Sequence, residues 1–237
     1  MSRLGLPRVH HRSTDSTNER AKDLARAGAP HGTIVTADEQ SAGRGRQGRA
    51  WIAEPGAALL ASVVVRDLEE RHALLPLAAA VAVCEAAEAC APVRCAIKWP
   101  NDVWIERRKL AGILVEGRPQ AGWAVVGVGV NVGTRAFPAA LAGAATSLAL
   151  ESTVDSRQST AAVLDELLSA LERRLADSPD RILEAWRARD ALRGSQISWA
   201  DGEGTAAGVD DTGALLVDTP TGPVQLQAGE VHLGHRT

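Results

Sequence analysis

Three glycines and three arginines fall within seven residues, Gly43-Arg44-Gly45-Arg46-Gln47-Gly48-Arg49. Glycine lets a backbone approach a ligand closely and take positive φ, and guanidinium groups bring fixed charge and forked donors. Together they suit a phosphate-bearing ligand. The segment formally matches G-x-G-x-x-G, with Asp67 at the end of a strand 19 residues beyond the last glycine. A dinucleotide site would need a helix to open at Gly48. The chain instead continues through Arg49-Ala50-Trp51 to Pro55-Gly56, which leaves no room for one. Arg49-Ala50 also stand where a P-loop needs its lysine and hydroxyl, so that reading fails too. A solvated basic loop or an RNA-binding patch is the plainer alternative, although no interleaved aromatic residues or wider basic stripe support nucleic-acid binding.

Three further segments carry chemistry. Lys98-Trp99-Pro100-Asn101-Asp102 presents a cation, a ring, an amide and a carboxylate around a stiff turn. Lys109-Leu110-Ala111-Gly112-Ile113-Leu114-Val115-Glu116 opens an apolar strand with a lysine and holds a glycine inside it, as if to keep the backbone bare for a ligand. Ser16-Thr17-Asn18 places short polar side chains before a helix. Each has an ordinary structural reading as well: polar turn tips, a charged strand end beside a packing glycine, and a helix cap.

The composition narrows the classes. Hydrophobic residues make up 45% and charged residues 23% of the 237, as in a folded domain rather than a disordered chain. The net charge of −3 gives no global attraction to nucleic acid or to an anionic membrane. Three cysteines without a C-x-x-C pair support neither a disulfide framework nor a thiolate metal site. The six histidines show no metal-ligand spacing, so no protein-bound metal is expected. Apolar runs near 57–65 and 73–84 fall short of the ~18 residues of a membrane span. The N-terminus lacks the apolar stretch of a signal peptide, so a cytoplasmic protein is expected. Of 26 basic residues only Lys22, Lys98 and Lys109 are lysines. Where arginine is the default cation, a retained lysine suggests a need for one. Lys22 has ordinary surface spacing on its helix, whereas Lys98 and Lys109 lie in the segments above.

The elements that must position these groups follow from pattern. Ser16 or Thr17 can cap a helix that ends at Gly28. Strands are expected at 33–39 and 58–66, then a helix over 70–91 with Pro76 in its first turn. A strand block at 93–99, 102–106, 109–117 and 123–132 suggests hairpins or a meander. Helices return at 158–176 and 179–191. After Gly194 short strands alternate with Gly- and Asp-rich turns, Asp211-Thr212-Gly213 among them, which suggests a small β-barrel.

Taken in order, S-T-N at 16–18, E-Q-x-A-G-R-G-R-x-G-R at 39–49, K-W-P-N-D at 98–102, R-K-L-A-G-I-L-V-E at 108–116 and G-x-G-x-N at 127–131 resemble the biotin protein ligases, also called biotin–acetyl-CoA-carboxylase ligases. The resemblance implies an α+β catalytic domain with a mixed sheet over residues 1–191 and an SH3-like barrel over 192–237. It implies ATP and biotin as substrates, with Mg²⁺, and a lysine of a biotin carboxyl carrier domain as acceptor, through biotinyl-5′-AMP. Lys109, Arg46 and Asp102 take the catalytic positions. Ser16, Thr17, Asn18, Gln40, Arg44, Gly45, Arg46, Lys109 and Gly112 match the biotin side. Arg44, Arg46, Arg49, Lys98, Asn101, Lys109 and Asn131 match the nucleotide side. Many bifunctional members carry an N-terminal helix-turn-helix domain. Here S-T-N begins at residue 16, so a ligase without DNA or membrane binding is expected. A lipoate or octanoate ligase and a non-catalytic nucleotide- or RNA-binding protein are the alternatives.

Overall fold

The structure is a computed structural model that describes residues 4–152, 159–227 and 229–234. A seven-stranded mixed sheet forms its centre. The strands are β1 (Arg8–His11), β2 (Ile34–Ala37), β3 (Ala58–Arg66), β4 (Ala96–Lys98), β5 (Asp102–Ile105), β6 (Arg108–Arg118) and β7 (Trp123–Asn131), in the order β1-β2-β3-β7-β6-β5-β4. Only β1 and β2 pair in parallel; β3, β7, β6, β5 and β4 run antiparallel, the meander expected of the strand block. Sequence pattern does not predict β1. Its sequence, Arg-Val-His-His, has one apolar residue, and the strand is drawn in by backbone pairing with β2.

Strand alternation decides which face does what, because successive side chains point to opposite sides. On β3, Leu59, Ala61, Val63 and Val65 face one core; on β7, Val126, Val128 and Val130 do the same. That face is covered by α2 (Leu75–Cys90), with α4 (Thr160–Ala176) and α5 (Pro179–Arg187) packed against it. The other face carries Leu60 and Ser62 on β3 and Gly127 and Gly129 on β7. Strand register aligns them with β6: Leu60, Gly129 and Gly112 form one cross-strand row, and Ser62, Gly127 and Leu114 the next. α1 (Thr17–Arg26) covers part of this second face with Ala21 and Ala25 on its inner stripe, against Val35, Val64 and Val125. The small residues left beside it form the floor of a cleft.

α2 is longer in apolar reach than the run counted from sequence. His72–Cys90 passes for a membrane span by length and hydropathy, but 72% of that window lies buried inside the fold. Its all-round apolar surface is that of a core helix held between sheet and helices. The expected helix at 158–176 is observed from Thr160; residue 158 lies outside the described residues. The expected helix at 179–191 stops at Arg187, because Ile97 and Asp190 then form a parallel β-bridge. The expected strand at 93–99 shrinks to Ala96–Lys98, because Val93 is still in the turn that follows α2. A short helix that the pattern does not predict, α3 (Leu148–Glu151), is capped by Ser147, which accepts from the Leu150 amide.

The C-terminal strands form a second, antiparallel sheet: β8 (Gln196–Trp199), β9 (Gly202–Val209), β10 (Leu215–Thr219), β11 (Gly222–Leu226) and β12 (His232–Leu233), in the order β11-β10-β9-β8-β12. Asp210 organises the β9–β10 turn, its carboxylate accepting from the Thr212 and Ala214 amides and from the Thr212 hydroxyl. This sheet is not an isolated bead. Ile197, Ala206, Val209 and Leu215 belong to the same buried cluster as α2, and the Trp99 indole donates to the Gly213 carbonyl at 3.0 Å.

Candidate active site

Every residue matched to a catalytic, biotin or nucleotide position borders one cleft of about 290 Å³, on the α1 face of the sheet. The sheet supplies the floor, the start of α1 one end, the Gly/Arg loop one side, and the β4–β5 turn the other end. Such convergence is topological, since the contributing segments are far apart in sequence.

The S-T-N end is built from mutual hydrogen bonds. Ser16, Thr17 and Asn18 are all buried. Ser16 sits at the N-cap of α1, but no side chain caps the helix. The cap expected of Ser16 or Thr17 is therefore not made. Thr17 instead donates to the Gln40 carbonyl oxygen from its amide at 2.7 Å and from its hydroxyl at 3.0 Å. Ser62, wholly buried, lies 2.8 Å from the Thr17 hydroxyl and 2.6 Å from Asn18 Oδ1, with one proton to give to either. Asn18 Nδ2 donates to the Leu114 carbonyl and, at 2.9 Å, to Glu116. Its amide lies where a Cβ on Gly127 would stand, so β7 must be bare there.

Lys22 departs from its expected surface role. Its side chain is 12% exposed and its ammonium bridges two carboxylates, Glu19 at 2.9 Å and Glu116 at 2.7 Å. Burial alone would make Lys22 shed its proton more readily; the two carboxylates outweigh this and raise its pKa above the ordinary value. Glu19 is lowered, first by its bond from Lys22.

The Gly/Arg loop makes one 3₁₀ turn at Arg46–Gly48 and no helix, with Gln47 at φ +55°. It is clasped on both flanks. Arg44 pairs with Glu19, and Arg49 pairs with Glu230 of the C-terminal region at 2.7 Å. Arg46 is half-buried. Burial weakens its hold on the proton, Asp102 strengthens it and Arg49 weakens it; as a guanidinium it stays charged.

At the opposite end Lys109 reaches Asp102 at 2.7 Å. Its ammonium lies 5.7 Å from the centre of the Trp51 ring, within cation–π range. Lys98 lies over Trp104 at 5.3 Å, and burial, opposed first by Asp102, lowers its pKa. A cluster of cations around one carboxylate is poised for an anionic ligand. Asn101 and Asn131 each give an amide proton to the backbone, to the carbonyls of Ile113 and Thr146. Each thus ties a wall of the cleft together. Trp99 is 2% exposed, belongs to the buried core and also borders the cleft.

Several groups escape a reading of the sequence. Trp51 reads as loop filler, although its ring covers Gly112 and Gly129. Ser62 is legible in principle, as the polar residue inside the apolar strand ALLASVVVR. Glu19 and Glu230 carry no signal of their own, and Glu116 closes a quoted motif but is assigned no role there. Phe137, Leu141, Ala144 and Ala145 also border the cleft, from a segment to which the pattern assigns no element. The latter part docks through backbone bonds between Lys109 and residues Ala144 and Thr146.

Comparisons with known proteins agree with this architecture. Residues 10–132 match the biotin/lipoate A/B protein ligase family, and residues 200–234 match the biotin protein ligase C terminal domain. The bifunctional ligase/repressor BirA of Bacillus subtilis is 33% identical, over 98% of this chain and 75% of that protein. The biotin–[acetyl-CoA-carboxylase] ligase of Paracoccus denitrificans is 36% identical, over 93% of this chain and 98% of that one. Among solved structures, biotin protein ligase from Aquifex aeolicus in complex with biotin and ATP superposes with a TM-score of 0.84 at 27% identity, covering 98% of this chain and all of that one. On these grounds, and on the match over more than half its length, the chain belongs to the biotin/lipoate A/B protein ligase family.

Proposed function

We propose that this protein is a biotin–protein ligase. It uses ATP to activate biotin as biotinyl-5′-AMP and then transfers the biotinyl group to a lysine of a carboxylase's biotin carboxyl carrier domain. The observation that carries the reading is a single cleft with a polar, hydrogen-bonding end at Ser16–Asn18 and Gln40 and a cationic end at Arg46, Lys98 and Lys109. The first suits the ureido ring of biotin, which both gives and accepts hydrogen bonds. The second suits a carboxylate and a triphosphate, which repel each other until positive charge holds them in line.

The roles divide accordingly. Gln40 presents its carbonyl oxygen to Thr17, leaving its amide protons for a ligand acceptor. Gly112 leaves room for the acyl chain beside Trp51. In the first step the biotin carboxylate attacks the α-phosphorus and pyrophosphate leaves. Lys109 and Arg46 stabilise the charge that develops on the phosphoryl oxygens, and Arg44 and Arg49 hold the loop over the product, keeping water from the anhydride. Lys98, Asn101 and Asn131 border the nucleotide. In the second step the carrier lysine, as its free amine, attacks the acyl carbon and AMP leaves; Asp102 orients that amine or accepts its proton.

Mg²⁺ would accompany the triphosphate. The carboxylates bordering the cleft, Asp102 and Glu230, are paired with Lys109 and Arg49, and among the described residues no three His, Cys, Asp or Glu side chains gather to hold a metal. Of these residues, Asp102 or Glu230 would give the protein's contact to such an ion. When bound it would supply positive charge to offset the charge of the phosphates.

Residues 1–191 act as the catalytic unit and 192–237 as a C-terminal unit of SH3-like type, a division supported by the start of β8 at Gln196. Three free, buried cysteines suit a reducing cytoplasm. Incubation with biotin, ATP, Mg²⁺ and a carrier domain tests the function: the carrier should gain the mass of one biotinyl group. ATP–pyrophosphate exchange driven by lipoate but not biotin would reject it.

A further inference from the structure

Lys22 does not border the cleft, yet it stands where two of the cleft's ligand-facing groups are braced. It lies one turn beyond Asn18 on α1, on the same helix face. Its ammonium meets Glu116, and Glu116 accepts in turn from Asn18 Nδ2. The second Asn18 donor goes to the Leu114 carbonyl, and its oxygen lies within reach of the Ser62 hydroxyl. Glu116 is therefore one of three partners that fix the Asn18 amide, and Lys22 holds Glu116 in place. The same ammonium meets Glu19, which pairs with Arg44 of the Gly/Arg loop.

An exposed ion pair would count for little. Here the side chains of Glu19, Lys22 and Glu116 are 21%, 12% and 29% exposed. Without the ammonium, Glu19 keeps Arg44 as its counter-charge, whereas Glu116 keeps only its bond from Asn18 among the described residues. Glu116 must then turn to solvent or take up a proton. Turning Glu116 removes one of the three bonds that hold the Asn18 amide.

We propose that Lys22 is a positioning residue for biotin: through Glu116 it holds the Asn18 amide at the ureido end of the cleft. The inference rests on the ligase reading above. Its consequence is asymmetric, because Asn101 and Asp102 at the nucleotide end take their partners from Ile113 and Lys109, outside this cluster.

The test is steady-state ATP–pyrophosphate exchange with Lys22→Met, Lys22→Arg and Glu116→Gln. Lys22→Met should raise the KM for biotin about tenfold, less than the loss attached to a full ångström of misplacement, and leave the KM for ATP within about twofold. Lys22→Arg, which can still reach both carboxylates, should recover most of the biotin affinity. Glu116→Gln keeps an acceptor for Asn18 but loses the charge, and should give the same split; it serves if Lys22→Met does not fold. A biotin KM unchanged in both variants, or biotin and ATP KM values rising together, would overturn the inference. A wild-type enzyme without biotin-dependent exchange would reject the ligase reading itself, so the two failures are distinct.

Discussion

The indole of Trp51 occupies the space that a side chain on Gly129 would need: a Cβ there would stand 2.6 Å from the ring. The ring also lies 3.2 Å from the Cβ position of Gly112 on the neighbouring strand. These two glycines are register partners on β6 and β7, so the sheet is bare at two adjoining positions where the ring comes down. Gly129→Ala should push Trp51 out of its seat, at a cost of about 1–3 kcal/mol for overpacking. Because Lys109 sits beside the same ring, biotin-dependent exchange should fall by far more than that stability loss explains. Kinetics set beside a thermal melt checks this; activity near wild type would show that the ring plays no part in the site.

Lys109 offers a compact ammonium 2.7 Å from Asp102. Arginine is a wider planar fork and cannot place one point of charge in the same gap. Lys109→Arg should keep the fold and lose adenylation by roughly 10²–10³-fold, the range seen when one transition-state donor is removed. Near-full activity in single-turnover formation of biotinyl-5′-AMP would empty the scarcity of lysine of meaning.

Trp99 links the central sheet to the C-terminal sheet through its bond to the Gly213 carbonyl. Trp99→Phe keeps a ring in the core but leaves that carbonyl without its donor. Unfolding stability should fall by about 1–3 kcal/mol, read from denaturant titration. No change would mean that water or a shifted neighbour replaces the bond.

Asp190 lies where the chain passes from α5 to the C-terminal sheet. One oxygen accepts from the Leu192 and Arg193 amides, while the other is buried without a partner among the described residues. Burial raises its pKa above the ordinary 3.8, and the two amide bonds and Arg193 oppose the rise. A raised folded-state pKa means a proton held more firmly folded than unfolded. The resulting stabilisation is full below 3.8 and is lost as pH climbs through the folded value. At neutral pH the ionised group therefore weighs against the fold. Asp190→Asn removes that dependence, so its melting temperature relative to wild type should increase from about pH 4 to pH 8. A difference that stays flat across that range would contradict this.

Much of the site is legible in the sequence alone. Segments such as Gly43–Arg49, Lys98–Asp102 and Lys109–Glu116 carry unusual residue types at close spacing, and the order of the segments points to one family. Strands such as Ala58–Arg66 and Trp123–Asn131 declare themselves because apolar side chains on a buried sheet leave continuous runs. What the sequence cannot contain is who faces whom. Lys22 reads as a surface lysine because helical spacing reports a residue's own face and nothing of Glu116, which lies 94 positions away. Trp51 reads as loop because its partner is an absence, the missing side chains of Gly112 and Gly129. Ser16 reads as a cap, but the fold provides its neighbours Thr17 and Asn18 with partners on other segments. Local residue chemistry thus determines what the site is made of. Strand register and the docking of α1 decide which groups meet, since long-range pairing comes from the packing of the whole chain.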